Sequence, residues 1–476
     1  MTISLFVIGH AVQAQISENH NLEESDFREC ELVLSERQMQ EDIDYYFNTL
    51  KECHPNLYAR YSPAVFDSVK LNLKGLCRDS MSTERFNYLL AKTAKYVDGH
   101  TGGYAEELIY PYKAMLPFVT IDDQNNLFIE GKKVLSINGV SGIQIGKDVD
   151  QLISWENSPL QRNNDAYINL SSVLFYGYNM NSSFINIELL DNETNLSETS
   201  HVELNSETKD VSELIAISQK KFFGKSDVHS NWFLKRVFKE DSLAVLYYND
   251  ASLMSFTDDY DEAMSVFTDS ISAFFDEIRG CKYLFIDVSQ NDGGNDLTNS
   301  VILKFLTYNG GALQMTTTAQ KNGAVRVYES YKDGLENSEE GIEWLQKIVK
   351  PLLEKGQIVD SVKVEPNSGF EGKVFIIMSP NTYSAGFDFC LNAKMFNVGT
   401  LVGMPAGQRS PYCGNVVYDN LPNSNIEFMF PTTYSIIEPK ITDEDGFLQP
   451  DISYLLNHTL KLDDFKKIIE MNNKRF

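Results

Sequence analysis

Between residues 35 and 97 the apolar positions recur at three-and-four spacing, the signature of helices that bury one face. Residues 38–50 carry this pattern and residues 86–96 repeat it, while Pro55 in His54-Pro-Asn-Leu-Tyr58 interrupts the helix between them. A helical N-terminal subdomain over 35–110 is expected. From 112 to 205 the rhythm changes to alternation, predicting strands at Asn126–Ile129, Lys133–Ile137 and Ser183–Leu189. Asn138-Gly139 reads as a tight turn, and Val149–Ser154 as a helix. From Leu243 onward short apolar runs alternate with helix-like segments. The runs are Leu243–Tyr248, Tyr283–Val288, Val374–Met378 and Thr400–Val402; the segments are Tyr260–Phe275, Leu297–Leu306 and Phe387–Phe396. That order predicts an α/β layered domain with buried strands over 226–476. Within it, Glu340–Lys350 reads as a helix stopped by Pro351, either a cap over the site or a plain surface helix.

Composition narrows the class. A chain of 476 residues, 42% hydrophobic and 12% aromatic, is globular and too long for one core. Its formal charge of −26 argues against nucleic acid and anionic membrane surfaces as partners. No run reaches the roughly eighteen apolar residues of a membrane span. An apolar run at Ile3–Ile8, followed by Val12 and Ala14 at the −3 and −1 positions of a signal-peptidase site, predicts a leader over 1–14 and export to the periplasm or medium. The six cysteines (Cys30, Cys53, Cys77, Cys281, Cys390 and Cys413) include no CxxC pair, so no zinc signature is present. One bridge among the first three competes with buried free thiols. The sequence implies no cofactor or metal.

Three stretches carry chemistry. In Val374–Phe389 an apolar run ends in turn residues, and Ser384 then opens a helix-like segment. This sets a hydroxyl at a sheet edge beside a helix N-terminus, whose free amides favour negative charge; the competing reading is a simple N-cap. In Tyr283-Leu-Phe-Ile-Asp-Val-Ser-Gln-Asn-Asp-Gly-Gly294 a strand runs into paired glycines, which let backbone N–H groups point inward as an oxyanion hole requires. Asp287, Ser289 and Asn291 have calcium-loop spacing, but Asp292 and Thr298 replace the required Gly and Glu, so calcium is rejected. In Val97-Asp-Gly-His-Thr-Gly-Gly103, His100 sits in a glycine-flanked turn after Asp98, a candidate general base. The absence of G-x-S-x-G excludes an α/β-hydrolase esterase.

Together these residues resemble the tail-specific, or C-terminal-processing, serine peptidase family, which includes the tricorn core. Phe285–Gly294 matches the family's strand-to-glycine motif, Val374–Gly407 its nucleophile motif, and Asp98-Gly-His-Thr101 its "DGHT". Gly403 follows Ser384 by 19 residues (403 − 384), and Leu421-Pro-Asn-Ser424 and Gln449-Pro-Asp-Ile452 match two further signatures. The resemblance implies a crotonase-like α/β core, a peptide or protein substrate, Ser384 as nucleophile and His100 as base. It implies an orienting Glu444, with Glu438 as second choice, and oxyanion donors at Ala385 and at Gly293 or Gly294. Lys133-Val-Leu-Ser-Ile-Asn-Gly-Val140 resembles the core of a PDZ-like domain, spanning 112–205.

Three positions depart from the family. Arg409 stands where the processing branch has its lysine base, and a guanidinium does not deprotonate near neutrality. Ser289 replaces an arginine expected to anchor the loop, and the acid after the nucleophile is shifted to Asp388. These departures favour the tricorn-like branch. They equally motivate the alternative of a catalytically inactive peptide- or glycan-binding protein on the same fold.

Overall fold

The strands Leu243–Tyr248, Tyr283–Asp287, Lys373–Met378, Thr400–Gly403 and Ile452–Ser453 read as unbroken apolar runs because both faces of their sheet are covered. They are the parallel part of a six-stranded sheet, with Phe233–Phe238 antiparallel at one edge. Alternate side chains divide between two cores. Ala244, Leu246, Leu284, Ile286, Ile376 and Met378 pack with Phe267, Ile271, Phe274, Phe387 and Phe389. On the other face, Val245, Phe285, Phe375, Ile377 and Val402 pack with Phe465 and Ile468 of the helix Leu462–Asn473.

The computed structural model describes residues 33–103, 118–180, 184–191, 194–203, 221, 233–252, 260–335, 342, 344–456 and 459–475. They fall into two compact units, one built on 223–416 and 432–476, the other on 26–222 and 417–431. The expected leader over 1–14 and Cys30 lie outside the described residues.

In the first unit the elements follow the sequence pattern closely. The helices Tyr260–Glu277, Leu297–Leu303 and Ala385–Met395 fall where the periodicity sets them. A second sheet pairs Gly311–Thr318 with Gln357–Val364 and with residues 434–438 of the strand Glu427–Glu438. Pro351 does not stop a helix. A five-residue π-type turn, Leu345–Val349, precedes it, and Pro351 opens the helix Lys350–Lys355, where its missing N–H costs no bond.

The second unit joins the helices Glu36–Cys53, Pro63–Leu76 and Thr83–Ala91 to a sheet in the order Val119–Ile121, Leu127–Ile129, Lys132–Ile137, Phe184–Leu190, Ser197–Glu203. Asn138 and Gly139, with φ of 45° and 79°, form the predicted turn. The helix after it begins at Gly142 and closes at Asp150, earlier than the 149–154 expected. Residues 417–431 join this unit through Asp42, which is fully buried. Its carboxylate accepts the Asn423 N–H, the Asn423 side chain and the Ser424 N–H, each at 2.9 Å. The strand Gly102–Gly103 pairs with Phe428 and Met429 of the same segment. Cys77 is a buried free thiol, and Cys53 is buried. Among the described residues no helix is long and apolar enough to cross a membrane.

Candidate active site

Asp287 and Met378 end neighbouring parallel strands on one edge of the sheet, the carboxyl edge where open α/β sheets place ligands. The loops that follow are stitched together. Thr382 Oγ1 donates to the Val288 carbonyl at 2.9 Å, the Tyr383 N–H donates to the Asn291 carbonyl at 2.9 Å, and the Ser379 hydroxyl donates to the Ser289 carbonyl. These contacts use the backbone of 288–291, so the serine at 289 anchors the loop without the arginine's side chain.

This scaffold ends at Ser384, whose φ of 48° and ψ of −120° are uncommon for a residue with a side chain. Ser384 precedes the helix Ala385–Met395, but its hydroxyl makes no capping bond and its backbone is not the extended one of an ordinary N-cap. The N-cap reading is thereby set aside. A strained backbone on a buried serine is the kind of outlier that clusters at functional sites.

Gly293 faces Ser384. A Cβ on Gly293 would lie 2.6 Å from Ser384 Cβ, 3.1 Å from its Oγ and 3.5 Å from the Ala385 nitrogen. The φ of 130° at Gly293 also suits glycine alone. Its N–H is committed to Asn291 Oδ1 at 3.1 Å. The sequence left both glycines open as donors, and Gly293 is the one whose amide is taken up inside its own loop. Among the described residues no acceptor takes the amide of Gly294 or of Ala385. Asn299 fixes the start of the helix by donating to the Ala385 carbonyl at 2.9 Å and accepting from the Tyr248 hydroxyl at 2.9 Å.

Arg409 points elsewhere. Its guanidinium donates to the Asp445 carbonyl at 3.0 Å and lies 4.4 Å from the Phe447 ring centroid. The neighbouring Gln408 instead reaches the serine, its Oε1 accepting the Ser384 N–H at 2.7 Å. Asp388 sits one turn beyond Ser384. Burial pushes its carboxyl up to about 7 against the Tyr412 hydrogen bond, and burial with the Asp388 charge holds Asp296 protonated well above the ordinary carboxylate range. Asp451 of the "PD" signature accepts the Leu401 N–H at 2.9 Å and pairs with Lys394, a structural role.

His100 belongs to the second unit. The turn that carries it is built on Asp98, whose Oδ1 accepts the His100 N–H at 2.9 Å and whose Oδ2 accepts from the Thr101 hydroxyl at 3.0 Å. His54, read from sequence only as the residue before a helix-breaking proline, lies 2.6 Å from Asp98 Oδ2 through Nε2. The Asn56 N–H donates to His54 Nδ1 at 3.1 Å, so the ring proton is on Nε2 and is donated to Asp98. Burial opposes charge on Asp98, but His54 and the His100 N–H outweigh it and hold the carboxyl below its usual range. Burial lowers the His100 pKa, with Asp98 opposing, so the imidazole favours its neutral form.

Glu156, also missed by sequence, accepts the Gly99 N–H at 2.7 Å and is buried. Asp98, His100 and Glu156 each offer a donor atom within 4.8 Å of the others. The set has the make-up of a divalent-cation site, but Asp98 and Glu156 accept the amides of the turn itself, which accounts for their burial. Glu444 and Glu438, the acids expected to orient the ring, are exposed side chains of the first unit.

Residues 253–452 match the family model for peptidase family S41. Among solved structures, the chain is similar to mature CPAF complexed with lactacystin, at 14% identity over 92% of this chain and 98% of that one, with a TM-score of 0.56. It is likewise similar to mature CPAF, at 13% identity over 91% of this chain and 96% of that one, TM-score 0.55. At these identities the likeness speaks for the fold. No curated protein matches the chain. The family match over residues 253–452 supports a serine-type peptidase, a hydrolase of peptide bonds, and the fold has mixed α/β content. Residues 253–452 are thus similar to peptidase family S41, in agreement with the tail-specific resemblance of the motifs.

Proposed function

We propose that the protein is an endopeptidase in which Ser384 is the nucleophile and His100 the general base. The observation that carries this reading is Ser384 itself, held with φ of 48° at the carboxyl edge of a parallel sheet with no side chain on Gly293 to fill the space before it. Ser384 Oγ attacks the peptide carbonyl as the neutral His100 ring takes its proton. The amides of Ala385 and Gly294 receive the oxyanion, as the helix N-terminus favours. His100 then gives the proton to the leaving amine, and water releases the acyl group by the same steps. Glu444 is the orienting acid implied by the resemblance. Arg409 has no part as a base, since its guanidinium stays protonated and is held by Asp445 and Phe447.

The core is proposed to be crotonase-like, which the parallel sheet order supports, and the 118–203 sheet PDZ-like. The seven-residue edge strand Ser197–Glu203, largely exposed, suits addition of an extended substrate peptide. The leader motif supports export.

A serine-directed fluorophosphonate tests the reading. Labelling at Ser384 in the native protein, abolished in Ser384→Ala and at least a hundredfold slower in His100→Ala, is the expected result. An unlabelled native protein would return the chain to the peptide-binding alternative.

A further inference from the structure

Gln408 has no part in the chemistry above, yet its side chain is wholly buried, with 0% of its surface exposed. Its Oε1 accepts the backbone N–H of Ser384 at 2.7 Å across 24 residues of sequence. That N–H has particular need of an acceptor. Ser384 stands at the start of a helix, where amides have no intrahelical acceptor, and a buried amide left without a partner costs about 1–3 kcal/mol. The loop that brings Gln408 there is fixed too, since the Gly407 N–H donates to the Thr382 carbonyl at 3.1 Å and the Ala406 N–H to the Leu448 carbonyl at 3.2 Å. The other end of the amide, Nε2, is buried and meets no acceptor among the described residues. The bond from Oε1 to the Ser384 amide is the only hydrogen bond of this side chain among the described residues.

We infer that Gln408 is a positioning residue for catalysis, holding Ser384 in the positive-φ backbone conformation that aims its hydroxyl at the substrate carbonyl. The inference rests on Ser384 being the nucleophile. Without the Gln408 oxygen, the serine backbone relaxes toward an ordinary N-cap, its amide turns toward solvent or the loop carbonyls, and Oγ leaves its line of attack. Substrate binding, which depends on other surfaces, is then untouched while the chemical step slows.

The test compares Gln408→Met, which keeps length and burial but removes the acceptor, with Gln408→Glu, which keeps an acceptor oxygen at the same position. Full-length enzymes are assayed on an unstructured protein substrate and with the fluorophosphonate. Gln408→Met should lower kcat about tenfold to a hundredfold with KM within twofold, and slow labelling of Ser384 by the same factor. Gln408→Glu should recover most of both rates. Wild-type kcat in Gln408→Met, or a change confined to KM, would overturn the inference, as would a Gln408→Glu enzyme as slow as the Met variant. If Gln408→Met does not fold, Gln408→Glu decides alone: a folded Glu enzyme with kcat down tenfold or more overturns the inference, and near-native kcat supports it. Failure of the native protein to label at all would instead sink the serine-peptidase site, a different outcome from normal labelling of both variants.

Discussion

Replacing Gly293 with alanine puts one methyl group where the structure has room for none. The added carbon would sit 2.6 Å from Ser384 Cβ and 3.1 Å from its Oγ, whereas carbons in contact settle at about 3.5–4.0 Å. Something must move by about 1 Å, and displacements of that size at a reacting group cost about a hundredfold in rate, or about 2.7 kcal/mol of barrier. The backbone adds its own penalty, because φ of 130° is glycine territory and an L side chain there costs on the order of 1–3 kcal/mol. The enzyme should therefore lose both rate and stability. Gly280→Ala is the control, since a Cβ there meets nothing within 4 Å. The assay is kcat on a protein substrate together with the rate of fluorophosphonate labelling, each beside a urea unfolding curve. Gly293→Ala should label and turn over about a hundredfold more slowly while remaining folded, and Gly280→Ala should match wild type. A folded Gly293→Ala enzyme with kcat within threefold of wild type would refute the argument that this glycine keeps the space before the serine open.

Three further outcomes are expected. Because burial lowers the His100 pKa, the acid limb of kcat/KM should have its midpoint below 6.5; Asp98→Asn removes the charge that opposes this and should move the limb lower still, and a limb above 6.5 contradicts the assignment. Asp388, ionising near 7 in the fold against 3.8 ordinarily, keeps a proton that the unfolded chain releases, so its own contribution to stability should decline as pH rises from about 4 to 7. Asp388→Asn should gain relative to wild type across that window, by at most about 4 kcal/mol, and a pH-independent difference in urea unfolding would contradict it. Glu444→Gln should lower kcat by about 10²–10⁴ if it orients the ring, whereas Glu156→Gln should cost far less; the reverse ranking would transfer the role to Glu156.

The sequence by itself determined the elements whose rules are local. Two-faced burial makes Tyr283–Asp287 and Lys373–Met378 apolar throughout, and turn chemistry makes Asn138-Gly139 bend, so both are legible without a fold. The motifs carried the family resemblance and the candidate serine, because Ser384 and the glycines are recognised by their neighbours in the chain. Pro351 misled because its penalty depends on which carbonyl faces it, and a π-type turn decides that. The helix Pro63–Leu76 went unread since only Phe66 and Leu73 are buried on it, too few to set a period. What only the tertiary structure decided are contacts between residues far apart in sequence. Those include Gln408 on the Ser384 amide, His54 on Asp98, Asp42 on Asn423, and Glu156 beneath Gly99. The same holds for the Gly293 amide, which is taken up by the Asn291 side chain. Hydrogen-bond geometry is set within tenths of an ångström by the packing of whole elements, and one chain's residue order does not encode it at that scale.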